Sequence, residues 1–327
     1  MKILITGATG FIGGTLAERF LEMGFSVRLL VRSKDAAELW SKRGAEIVRG
    51  DITNPDDCKK ACEGVHSVFH LAGLVGYSKA MYQKMVMVNV VGTQNLVDAA
   101  LENKVQKFIH MSSVTAIGGS FDGKHPLTED SEFNLSHLQL GYFETKRKAE
   151  EIVMEAAKTG KIFALCLNPS TVYGPGDAEK GSRKTQLKVA KGKFPFYTSG
   201  GVNVIHVDDV VNAMFKAWES GKSGERYILA GENITIKELF KTIAKAAGVP
   251  APYIYLPNPV VHLIGKVGDA LEAKGKKGPI NSENAWTSTM FHWFDSTKAQ
   301  RELGLKPRPA KEAIQDSVKW IKDNGLA

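Results

Sequence analysis

In the stretch GYFETKRKAE, Tyr142 and Lys146 stand four residues apart. On a helix that separation is a rise of about 6 Å with a return to nearly the same face, so a phenol and an ammonium can enter one cleft. A free tyrosine, with a pKa of about 10, exchanges protons poorly near neutral pH, and bringing it into range takes about 3 to 4 kcal/mol. A cation about 4 Å away at an effective dielectric of about 20 supplies roughly 4 kcal/mol. The spacing therefore fits a tyrosine acid/base tuned by a lysine. It fits equally an ordinary solvated helix face on which the lysine stem covers the ring, and the rest of the chain has to decide.

Near the N-terminus, the apolar run KILIT leads into TGATGFIGG, with glycines at 7, 10 and 13 opening an amphipathic segment. Backbone N–H groups at a helix start attract an anion, and glycine lets a phosphate approach where a Cβ would intrude. The spacing departs from the commoner G-x-G-x-x-G, but the strand before and the helix after are the required context. Gly7, Thr9, Gly10, Phe11, Ile12 and Gly13 are thus expected to hold a dinucleotide pyrophosphate. At the end of the second apolar run, LLVRSK, a carboxylate would select NAD. Arg32 stands there instead, with Lys34 nearby, and a guanidinium suits a 2′-phosphate. NADP(H) is the expected cofactor; Asp35 keeps NAD(H) open. Asp51, in GDIT, stands where it can meet the adenine or cap the following turn, with Ile52 beside it. Leu71, Ala72 and Gly73, in HLAG, offer small side chains and backbone to the cofactor.

These groups need a frame. Apolar runs alternate with helical patterns through the first half, which specifies parallel strands joined by crossover helices, six or seven strands in all. Ligands are expected at the carboxyl ends of such strands. Residues 1–168 read as a dinucleotide-binding domain, with 202–230 returning to the sheet. Residues 169–327 read mainly as a substrate-binding region, containing a helix (TIKELFKTIAKAAG), a Pro-rich turn and a final helix (KEAIQDSVKWIKD). The aromatic run MFHWFD alternates like a strand, so Phe291 and Trp293 are expected to be core of this cap.

At 327 residues, 43% hydrophobic and 24% charged, the chain has the composition of a folded globular protein. The net charge of +8 is spread without a decisive basic tract, so no nucleic-acid partner is expected. No run approaches the roughly 18 apolar residues of a membrane span; no membrane partner and a cytoplasmic location are the expectation. The three cysteines lack the neighbours of a metal site and read as reduced thiols.

In order and rough spacing, TGATGFIG, DIT, HLAG, NVVGTQN, MSSV, YFETK, NPSTVYGPGD and VIHVDDV resemble the extended short-chain dehydrogenase/reductase family, of NAD-dependent epimerase/dehydratase type. Within it the chain is most similar to the dihydroflavonol-4-reductase-like and hopanoid-associated sugar epimerase-like proteins, a likeness strengthened by GERYILAGEN and RELGLKPRP. The resemblance spans nearly the whole chain. It implies an α/β fold, a doubly wound parallel sheet of Rossmann type with a smaller C-terminal substrate-binding cap. It also implies a catalytic triad of Ser113, Tyr142 and Lys146, in which Ser113 directs the substrate oxygen and Lys146 also meets the nicotinamide ribose. Asn89 is implied near the lysine, unless it only bridges backbone in a kinked helix. Asn168, Ser170 and Thr171 are expected around the nicotinamide. Tyr77, Tyr173 and His206 are expected near the substrate, His206 having packing as its alternative. Lys180, Arg183 and Lys184 would meet an anionic substrate or belong to a solvated loop. Where plant flavonoid reductases carry a polar substrate contact, this chain has Ile117, which points away from a dihydroflavonol. The expected activity is NADP(H)-dependent interconversion of a carbonyl and an alcohol on a small molecule. The alternatives are an NAD(P)-dependent sugar epimerase or dehydratase, and a non-enzymatic dinucleotide-binding regulator. A homodimer is common in the family, and no surface in the sequence reads as its interface.

Overall fold

The computed structural model describes residues 1–176, 184–276 and 278–327. The chain first alternates strand and helix: β1 (Lys2–Thr6), α1 (Phe11–Glu22), β2 (Ser26–Val31), α2 (Lys34–Lys42), β3 (Glu46–Arg49), α3 (Pro55–Cys62) and β4 (Ser67–His70). A short helix α4 (Tyr82–Met85), a π-helical turn (Val86–Val91) and α5 (Gly92–Glu102) lead to β5 (Lys107–Met111), and α6 (Gly141–Lys158) leads to β6 (Phe163–Pro169). Beyond β6 come β7 (Thr171–Tyr173), α7 (Lys184–Ala190), β8 (Phe196–Tyr197), β9 (Gly201–His206), α8 (Val207–Ser220) and β10 (Arg226–Leu229). The cap continues with β11 (Glu232–Thr235), α9 (Ile236–Ala247), β12 (Ile254–Tyr255), α10 (Asn258–Glu272), α11 (Ser282–Thr289), β13 (Phe291–His292), α12 (Thr297–Leu303) and α13 (Ala310–Asp323).

The main sheet has seven strands in the order β10-β6-β5-β4-β1-β2-β3. Every pairing in it is parallel. Its inner strands are buried on both faces, which is why KILIT and FALCLNP read as continuous apolar runs rather than alternating ones. One face packs Leu16, Phe20, Phe215 and Trp218 from α1 and α8. The other packs Leu96, Val97 and Val153 from α5 and α6. The strand order runs outward in both directions from the β1/β4 junction, the switch point where such sheets open a crevice at their carboxyl ends.

One expectation for the return to the sheet is corrected. Only β10 joins the main sheet; β9 lies at the centre of a second sheet, flanked by β11 and β13 and paired also with β7. Strand β9 is buried along its whole length, and Asn203 bonds Ser170, Gly231 and Asn233 there. It is therefore a core strand of the cap. Phe291 and Trp293 pack edge to face at 4.9 Å beside Gly201 but are only half-buried, which corrects their expected place in the cap core; Met290 and Phe294 are the buried members of that run.

Candidate active site

The glycine loop closes tightly on itself. Gly7 has φ +77°, and a Cβ there would stand 2.6 Å from the Ala72 nitrogen; a Cβ on Gly13 would stand 2.3 Å from the Gly7 carbonyl oxygen. The Gly10 N–H donates to that carbonyl at 2.8 Å and Gly10 begins α1, with no side chain capping the helix. Phe11 and Ile12 lean on the core below. A glycine-lined helix start at the switch point is a cradle that fits a dinucleotide pyrophosphate.

The neighbouring strand end is fixed from beneath. His70, fully buried, bridges Thr6 Oγ1 at 2.8 Å and Thr93 Oγ1 at 2.9 Å, while the Ala72 N–H donates to Thr6 Oγ1 at 3.1 Å. Burial, reinforced by the Lys146 cation, lowers the His70 pKa to about 3, so the ring is a neutral bridge. Leu71 continues the ladder through Thr6, and Gly73 faces the Asn89 amide. On the outer strands, Arg32 is exposed and its Nη1 lies 3.7 Å from Asp51 Oδ2. Asp51 Oδ1 accepts from both the backbone and hydroxyl of Thr53 at 2.9 Å, which is the turn-capping alternative. Ile52 turns its side chain into the core beneath Gly92.

Ser113, Tyr142 and Lys146 converge past the end of β5. The Ser113 hydroxyl accepts from the Thr115 N–H at 3.2 Å and reaches the Tyr142 phenol. Lys146, 5% exposed, donates from Nζ to the Met111 carbonyl at 2.7 Å, two residues before Ser113. Burial lowers its pKa to about 8, with Glu150 and then Cys166 opposing. Tyr77 stacks edge to face on Tyr142, with centroids 6.2 Å apart. Burial pushes the Tyr142 phenol well above its ordinary value, Tyr77 adds to the rise and the Ser113 hydrogen bond opposes it. The sequence argument expected the opposite direction, with Lys146 lowering the phenol; here the ammonium is aimed at a backbone carbonyl and desolvation dominates.

Several expected contacts are internal. Asn89 accepts from the Leu74 N–H at 2.7 Å and donates to the Leu74 carbonyl and Thr145 Oγ1, so its amide bridges the π-helical turn to the HLAG loop and α6. Asn168 is fully buried, donating to the Ser113 carbonyl at 3.0 Å and to Glu150 at 2.6 Å, so it props the triad from behind. The Ser170 hydroxyl donates to Asn203, and Thr171 pairs with Val204 in β9. Tyr173, 2% exposed, packs in the cap core; His206, 1% exposed, accepts the Asp208 N–H at the start of α8 and lies 3.4 Å from Asp316. Neither side chain is open to a substrate. Ile117 is fully buried beside Ile228 and Phe294, so its identity says nothing about substrate polarity. Lys184 is exposed at the start of α7; Lys180 and Arg183 lie outside the described residues.

Sequence reasoning missed Glu150, although it stands four residues after Lys146. Its carboxylate, 4% exposed, pairs with Arg226 Nη1 at 3.2 Å and with Asn168. It also missed Thr145, whose hydroxyl donates to the Tyr142 carbonyl at 3.0 Å. Among the described residues no group of His, Cys, Asp and Glu could hold a metal, and no helix is long and apolar enough to cross a membrane.

Comparison with known proteins decides the family: residues 3–230 match the model of the NAD dependent epimerase/dehydratase family. The chain belongs to that family. A Synechocystis protein named "Putative dihydroflavonol 4-reductase" is 30% identical over 98% of this chain and 94% of its own length. Sterol demethylase protein B of Methylococcus capsulatus is 28% identical over the full length of both. The crystal structure of gox2253 superposes with a TM-score of 0.86 at 35% identity, covering 99% of this chain and 98% of the other.

Proposed function

We propose that this family member is an NADP(H)-dependent oxidoreductase interconverting a carbonyl and an alcohol on a small organic molecule, with Tyr142 as the proton-exchanging residue. The observation that carries the reading is the convergence of Ser113, Tyr142 and Lys146 at the carboxyl end of β5, across the crevice from the glycine loop. The 30% identical relative named as a 4-reductase supports reduction as the direction.

The residues fit a nicotinamide dinucleotide: Gly7, Gly10 and Gly13 form the pyrophosphate cradle, and exposed Arg32 suits a 2′-phosphate. When bound, that cofactor supplies or accepts the hydride. Ser113 orients the substrate oxygen. Tyr142, kept protonated by burial, gives its phenolic proton to the oxygen as negative charge develops there. Lys146, held at Met111, places a cation behind the reacting groups and favours the phenolate left on Tyr142.

Screening NADPH oxidation against a panel of ketones and aldehydes, with mass spectrometry of copurified ligands, tests this. Net NADPH consumption with at least one carbonyl is expected. Tightly copurified NAD, no net consumption across the panel and isomerisation of a sugar nucleotide would replace the reading with an epimerase.

A further inference from the structure

Glu283, on α11 of the cap, is a buried carboxylate that the mechanism does not use. It is 7% exposed, and its Oε2 has no hydrogen-bond partner. Its other oxygen, Oε1, lies beside Gly141 at the N-terminus of α6, where the backbone N–H favours the ionised carboxylate. Gly141 is the residue before Tyr142. Helix α6 has no cap of its own, because Leu140 at its start offers no side-chain acceptor. The first N–H groups of a helix need acceptors, and an anion there is favoured by the helix dipole. Two residues earlier on the same element, the Asn281 amide donates to the Tyr77 carbonyl. One end of α11 thus grips the backbone at both tyrosines that stack in the site.

Resting on the assignment of Tyr142 as the proton-exchanging residue, we propose that Glu283 is a positioning residue: it sits over the start of α6 across the cap interface to hold Tyr142 in place, and loss of its own proton loosens that hold. The groups facing it come from three elements. Asp269 and Glu272 on α10 oppose its ionisation, and Lys79, in the turn before α4, favours it. Tyr82 of α4 lies against Gly141, and His262 of α10 meets α11 through Trp286 and Thr289. Burial outweighs the Gly141 hydrogen bond and places the Glu283 pKa at about 7, so the carboxylate titrates in the range where the enzyme would work. Because burial favours the protonated form, a closed, protonated cap and a looser, charged one then differ by a single proton at the cap interface.

The test follows Tyr142 directly. Tyrosine is labelled with 13C in its ring, and the Tyr142 resonance is assigned by its loss in Tyr142→Phe. In the parent enzyme this resonance is expected to move with a midpoint between about pH 6 and 8, and to stay flat in Glu283→Gln. Steady-state kinetics should show kcat falling at least about tenfold in Glu283→Ala and less in Glu283→Gln, which retains an acceptor for Gly141, with the KM for NADPH unchanged in both. If Glu283→Ala does not fold, Glu283→Asp takes its place. A flat Tyr142 resonance in the parent, or the same titration in Glu283→Gln, overturns the inference. Failure of the underlying assignment looks different: Tyr142→Phe would keep its turnover whatever the Glu283 variants do.

Discussion

Lys146 Nζ donates to the Met111 carbonyl oxygen at 2.7 Å, so the cation of the YFETK stretch is anchored to the strand that ends in Ser113. The contact ties α6 to β5 and keeps the ammonium beside the triad at the cost of burying it. Glu150, one turn further along α6, offsets part of that cost and is itself neutralised by Arg226. The lysine is held by a chain of partners reaching to the edge strand β10.

Activity should therefore lose its dependence on a charged lysine earlier than an exposed lysine would allow. The Lys146 pKa is lowered from 10.5 to about 8, so the ammonium is present below about pH 8 and is lost as pH rises through that value. Carbonyl reduction is expected to fall above about pH 8, read as an alkaline limb in kcat/KM. A profile flat to pH 9.5 would show that this cation does not assist the reaction. Lys146→Arg, if folded, should carry its charge past that limb.

Replacing Tyr142 with Phe keeps the stacked ring on Tyr77 and removes the proton. Turnover is expected to fall at least about a thousandfold, with dinucleotide affinity retained in a fluorescence titration. A variant keeping a tenth of its activity would end the role assigned to the phenol.

How much was legible in the sequence depended on whether a signal was local. The glycine loop, the alternation of strand and helix, and the Tyr142/Lys146 spacing each lie within about a dozen residues, and all three stand in the structure as elements. Asn168 and Ser170 were expected around the nicotinamide, yet their side chains bond Glu150 and Asn203 because β7 turns from β6 directly into the cap sheet. Helix α10 went unread in the sequence; Gly265 and Gly268 lie inside it, where glycine ordinarily weakens a helix. They serve close packing instead, since a Cβ on Gly268 would stand 1.7 Å from the Ile280 carbonyl and one on Gly265 2.9 Å from Ala285 Cβ. The electrostatics of Tyr142 were the least legible, because spacing shows that two groups can meet but not how far burial desolvates each.

Cofactor choice should rest on Arg32. Its guanidinium is exposed beside Asp51 at the end of β2, with no carboxylate at the position that would take a ribose 2′-hydroxyl pair. Arg32→Asp is expected to raise the KM for NADPH at least several-fold while leaving that for NADH equal or lower. An unchanged KM for NADPH would remove the basis for preferring the phosphorylated cofactor.

Glu150 allows stability and pKa to be tested in one variant. Glu150→Ala leaves Asn168 Nδ2 and the Arg226 guanidinium without their carboxylate. Breaking a buried pair from one side costs about 3 to 5 kcal/mol, and the partial exposure of Arg226 argues for the lower end of that range. Chemical denaturation should show this as a lower midpoint with an unchanged slope. The same change removes the anion that raises the Lys146 pKa, so the lysine should lose its proton below pH 8 and the alkaline limb should move to lower pH. Glu150→Gln keeps an acceptor for Asn168 but not the charge, so it should move the limb as far while costing less stability. Loss of stability without movement of the limb would make Glu150 a packing residue with no electrostatic hold on the site.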